Sequence, residues 1–150
     1  MKTRNKLIGA LTLILCMFFL TSNGISASEY KKPVFLSADF AKDTFESGEP
    51  VTVNIYTESG ESEIDSIFAR IEHEETGREF YNLKSADSQS ETKVEINLPS
   101  EAPPGKYVLN AVTLTDSAGV NSFTHNIGIS FELIGGAHRH RKADISQRFF

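Results

Sequence analysis

Between Val34 and Leu133 apolar and polar side chains alternate with a period of two, and no apolar stripe recurs at helical spacing. Val34, Leu36, Ala38 and Phe40 alternate with Phe35, Ser37 and Asp39 in the first predicted strand. The stretch ESGEP then makes a turn, in which Gly48 is free to take a positive φ. Val51, Val53 and Ile55 share one face of the second strand, with Thr52, Asn54 and Tyr56 on the other. In the third, Ile67, Ala69 and Ile71 oppose Phe68 and Arg70. HEETGRE reads as a hairpin connection around Thr76-Gly77, Phe80 to Leu83 as a short fourth strand, and KSADSQSE as a surface loop. Val94, Ile96 and Leu98 mark a fifth strand that stops at Pro99. Tyr107 to Thr115 and Phe123 to Leu133 complete the set, and Phe123, His125, Ile127, Ile129, Phe131 and Leu133 share a parity.

Seven strands separated by Gly, Pro, Ser and Asp turns predict an all-β fold, a two-sheet antiparallel sandwich in which each sheet buries one face. One strand breaks the pattern. Tyr107 and Leu109 have odd parity, Val112 and Leu114 even, so burying all four requires a β-bulge near Asn110-Ala111.

The ends lie outside this pattern. Lys2, Arg4 and Lys6 precede an apolar run from Leu7 to Leu20, followed by the small polar stretch TSNGISAS, the layout of a secretory signal peptide. The fourteen residues of that run span about 21 Å as a helix, short of a roughly 30 Å bilayer core. Cleavage after Ala27 divides the chain into a signal peptide (1–27), a β domain (28–134) and, after Gly135-Gly136, a flexible basic tail (135–150). Cys16 lies inside the apolar run and is followed by Met17, Phe18 and Phe19, which argues against lipidation. The processed chain would then hold no cysteine and no disulfide, and its stability would rest on its core. The expected location is extracellular or cell-surface.

Charge narrows the partners. From Ser28 to Ile134 nineteen acidic side chains face eight basic ones, a net −11, whereas the last sixteen residues carry +3 from Arg139, Arg141, Lys142 and Arg148 against Asp144. So acidic a body repels nucleic acid and anionic lipid. No nucleic-acid partner is expected, and no membrane insertion once the signal is removed.

Three stretches carry a family likeness: SGEPVTVNIY, PPGKYVLNAVTLTD and DSAGVNSF. Together they resemble the bacterial Ig-like domains, secreted sandwich modules of surface proteins and extracellular hydrolases. The likeness implies structural roles for Gly48, for the corner Pro104-Gly105 with Tyr107, and for the turn residues Asp116 and Gly119. The Tyr107 hydroxyl is expected to reach back to the corner backbone, as in a tyrosine corner. One departure is Val120, which separates Gly119 from Asn121 and makes this turn differ from the family's by a residue.

Candidate chemistry is sparse. His73-Glu74-Glu75-Thr76-Gly77 starts like a zinc-protease motif, but Gly77 stands where the second histidine belongs, and the segment is a hairpin. No nucleophile elbow or phosphate loop occurs, and the chain is expected to be no enzyme, with no cofactor required. His138-Arg139-His140 offers two imidazoles among cations, and a solvated tail is the simpler reading. Calcium is the cation an acidic extracellular protein best accommodates, with Glu58, Glu61, Glu63, Asp65 and Asp116 as candidate ligands if their loops converge. Solvated surface acids are the simpler reading there as well. The functional expectation is a non-catalytic module that binds an extracellular protein or glycan, or acts as a spacer. The alternatives are an accessory module of an extracellular hydrolase and an inhibitor of a secreted enzyme. Against sugar binding stands the absence of tryptophan. Phe35, Tyr56 and Phe68 remain as outward-parity aromatics.

Overall fold

Alternation puts Val51, Val53 and Ile55 wholly inside the molecule and leaves Thr52, Asn54 and Tyr56 half-buried, which makes the strand they form, β3 (Val51–Glu58), a wall of the core. The computed structural model describes residues 28–135; the signal-peptide reading and all of the tail past Gly135, His138 and His140 included, lie outside them. Strands account for 58% of the described residues and no helix occurs among them, so the class is all-β. β3 is flanked by β1 (Val34–Phe40) and β6 (Glu91–Ile96) in a three-stranded antiparallel sheet. The larger sheet runs β2 (Thr44–Glu46), β9 (Ser130–Ile134), β7 (Gly105–Asp116), β4 (Ile64–His73), β5 (Glu79–Ser85), with β8 (Asn121–His125) beside the second half of β7. Both sheets feed one core: Ile67, Ala69 and Ile71 from β4 and Leu109, Val112 and Leu114 from β7 face Val53, Ile55, Val94 and Ile96. Each of the Val, Leu and Ile side chains contributes about 1.5–3 kcal/mol by leaving water.

A bulge resolves the parity conflict in β7. Ile71 pairs with Leu109 and Arg70 with Ala111, so Asn110 is the unmatched residue, and Tyr107, Leu109, Val112 and Leu114 are all buried. A second bulge escapes the alternation pattern. Phe35 pairs with Thr57 and Ser37 with Tyr56, leaving Leu36 unmatched. Phe35 therefore packs against the core, while Val34 and Leu36 stand in solvent, the reverse of the expected facing.

Nine strands appear among the described residues, where seven were expected. The last run is broken at Asn126 (φ 56°) and Gly128 (φ 83°) into β8 and β9. Across the break the inward face changes parity: Phe131 and Leu133 are buried, but Phe123 and His125 are exposed. β2 is only three residues long, and it pairs in parallel with β9, bringing Phe45 edge-on against Phe131 at 5.1 Å. Three residues are too few to show alternation.

The architecture also departs from a regular sandwich: the larger sheet curls into a half-barrel. Two kinks along β7 and its neighbour account for the bend, the bulge at Asn110 and the β8–β9 break. On one flank the gap between sheets is stitched by side chains. Asn82 Nδ2 donates to Glu95 O at 2.7 Å and Lys84 Nζ to Lys93 O at 2.8 Å, so β5 covers the carbonyls on the free edge of β6. An edge covered in this way cannot recruit another strand.

Candidate functional site

Five carboxylates were candidate calcium ligands. The loops that carry them do converge, because Ser117 N donates to Glu63 O at 2.8 Å. Their side chains, however, are used otherwise. Glu58 pairs with Lys31 Nζ at 2.9 Å, and Glu61 Oε1 accepts from Lys31 N at 3.3 Å. Glu63 and Asp65 stand exposed. Asp116 is buried and both of its oxygens are engaged: Oδ1 accepts from the backbone N–H of Ala118 (3.0 Å) and Val120 (2.8 Å), and Oδ2 from the Tyr30 hydroxyl (2.6 Å). Among the described residues no three His, Cys, Asp or Glu are grouped so as to hold a metal ion.

The structure assigns Asp116 a different task. It staples the β7–β8 turn, in which Gly119 (φ 79°) and the extra residue Val120 are both held, and it latches the N-terminal segment. That segment lies tight against the Gly60 loop: Glu61 N donates to Lys31 O, and a Cβ on Gly60 would stand 1.9 Å from the same oxygen. The Tyr30 hydrogen bond, followed by those from the turn N–H groups, holds the Asp116 carboxyl below its ordinary range, and the Tyr30 phenol is raised by its bond to Asp116. A lowered carboxylate adds stability above its unfolded value of about 3.9 and loses it as pH falls through the folded value. The stability gap between the wild type and Tyr30→Phe is thus expected to be full at pH 7 and to close below about pH 4. Urea titrations at pH 7, 4 and 2.5 check this; a gap that stays constant would contradict it.

At the opposite end of β7 the corner residues meet a buried histidine. Tyr107 is fully buried, its hydroxyl donates to Pro103 O at 2.8 Å, and its ring stacks on Phe131 at 5.3 Å. Burial pushes the Tyr107 phenol up. His73 continues the inward face of β4. Its Nδ1 accepts from Thr76 N–H at 3.2 Å, so the proton sits on Nε2, which donates to Pro104 O at 3.1 Å. Gly48 takes its turn with φ 86°. These contacts are structural and leave His73 no free nitrogen.

The outer face of the larger sheet is different. Register places Leu83, Phe68, Thr113 and Phe123 in one row across four strands. Tyr81, Arg70, Ala111 and His125 form the next row, and Ser85, Ser66, Thr115 and Asn121 the row on the other side. Tyr81, Leu83 and Phe123 are 68%, 63% and 63% exposed, and the Phe68 and Tyr81 rings lie 5.5 Å apart. Of the outward-parity aromatics, Phe68 belongs here, Tyr56 lies half-buried on the smaller sheet, and Phe35 is turned inward. Tyr81, Leu83 and Phe123 were missed because cross-strand register is not written in one strand's alternation. The available signal was that β5 has apolar residues on both parities. A hollow of about 330 Å³ beside Asn110 and Asn126 is lined by Glu72 and Glu74, but these are bonded to Asn110 and Lys106.

Fold and surface together define an all-β domain of two sheets around one core, with an apolar outer face on the larger sheet. No family model matches the chain, and no curated protein does. Among solved structures it is similar to the Pseudomonas fluorescens alkylpurine DNA glycosylase AlkC bound to DNA containing an abasic site analog, at 17% identity and a TM-score of 0.37. The match covers 77% of this chain and spans 33% of that one. A likeness so weak supports no inference about fold or activity. Among the described residues no helix is long and apolar enough to cross a membrane.

Proposed function

We propose that the chain is a non-catalytic Ig-like binding module that works outside the cell, in the medium or on the cell surface. The observation that carries this reading is the outer face of the larger sheet, where exposed Tyr81, Leu83 and Phe123 surround Phe68 on a scaffold whose core is closed behind them. A contiguous apolar patch held toward solvent is a mark of an interaction site. The Ig-like part rests on the Tyr107–Pro103 corner and the three stretches that resemble the family. Export rests on the pattern from Met1 to Ala27.

Expressing the full chain in a bacterial host and sequencing the N terminus of the protein outside the cytoplasm tests the location. The expected product begins at Ser28. An unprocessed chain confined to the cytoplasm contradicts it.

A further inference from the structure

We infer that the outer face of β4, β5, β7 and β8 is a platform for a neutral oligosaccharide chain, an inference that rests on the binding-module reading. The three rows between Ser85 and His125 contain no carboxylate, although the body around them carries net −11. The face is therefore not selective for cations. Nor is it selective for polyanions, since its one guanidinium, Arg70, is paired with Glu79 at 3.3 Å. What remains is a neutral partner.

Size separates a sugar chain from a protein. Four strands about 4.8 Å apart and three rows about 6.8 Å apart cover about 14 by 14 Å between Cα positions. With side-chain margins that is a few hundred Å², against about 800 Å² per partner in a stable protein pair. A second copy of this chain would also bring a second body of the same negative charge. A narrow, uncharged, elongated ligand fits both limits.

The chemistry of the face suits a sugar. In a chain without tryptophan the stacking surface falls to Phe68 and Tyr81, which lie side by side with their planes 35° apart and offer a broad apolar surface for the C–H face of a pyranose. Hydroxyls of Ser66, Ser85 and Thr115 border the apolar row on one side, and Tyr81 and His125 on the other. Arg70 Nε has no hydrogen-bond partner among the described residues, which leaves a donor for a ligand hydroxyl once the side chain shifts.

The test is an amide-resolved NMR titration of the purified protein with cellohexaose, hexa-N-acetylchitohexaose and laminarihexaose. With at least one of them, shifts are expected to be confined to β4, β5, β7 and β8. Tyr81→Ala and Phe123→Ala should each weaken binding about tenfold. Leu36→Ala, an equally exposed apolar change on the smaller sheet, should leave it unaltered. Three results overturn the platform: no shift with any hexasaccharide at millimolar concentration, shifts that map to the hollow beside Asn126, or concentration-dependent shifts on this face without sugar, which mean a second copy. A processed, folded protein that ignores all three sugars sinks the platform alone; a chain that is never exported sinks the module reading.

Discussion

Tyr107→Ala is expected to cost about 3–5 kcal/mol of folding free energy, and Tyr107→Phe about 1–2 kcal/mol. The alanine variant removes a fully buried ring that stacks on Phe131 with planes 8° apart and has its centroid 4.8 Å from that of His73, leaving a cavity among β4, β7 and β9. Phenylalanine keeps the ring and loses only the 2.8 Å bond to Pro103 O. That difference isolates the corner, because the carbonyl of Pro103 then has one donor fewer while packing is unchanged. Guanidinium unfolding of the three proteins checks the order. A phenylalanine variant as stable as the wild type would mean that the hydroxyl does not hold the Pro103–Pro104 turn.

Gly105→Ala should cost about 2–5 kcal/mol, through two causes that a double-mutant cycle separates. Gly105 has φ 128°, where a side chain is strained whatever the space around it. In addition, its Cβ would stand 2.9 Å from His73 Nε2. His73 cannot swing aside, being 1% exposed and bonded at both nitrogens to Thr76 and Pro104. His73→Ala removes the clash and leaves the φ strain. The pair is therefore expected to lose less than the sum of the single losses. Strict additivity would show that the histidine ring yields easily and that backbone strain is the whole effect.

The all-β class, the second to sixth predicted strands and the bulge at Asn110 were legible because each rests on local alternation. Ile67, Ala69 and Ile71 declare their face, and the parity clash between Leu109 and Val112 demands an extra residue. The failures are of one kind. Leu36 is an unmatched residue with nothing in its neighbours to announce it, so Phe35 was assigned outward. Asn126 and Gly128 break a run whose side chains keep perfect alternation, and only their left-handed backbone turns Phe123 and His125 to solvent. The partners of the acids were hidden for a related reason. Glu58 and Asp116 look like free ligands in sequence, whereas Lys31 and Tyr30, from the segment that precedes β1, claim them. Long-range pairing decides each of these cases, and one strand's alternation does not encode its partner.

The account depends above all on the register that lines up Leu83, Phe68, Thr113 and Phe123 on the outer face, because a slip of one residue would turn these side chains into the core and Ile67 and Leu114 out. Cross-strand NOEs in the purified protein measure that register directly. The structure predicts contacts from Phe68 to both Leu83 and Thr113 and from Thr113 to Phe123. Contacts displaced by one residue, or aromatic signals of Phe123 shielded from solvent, would contradict it.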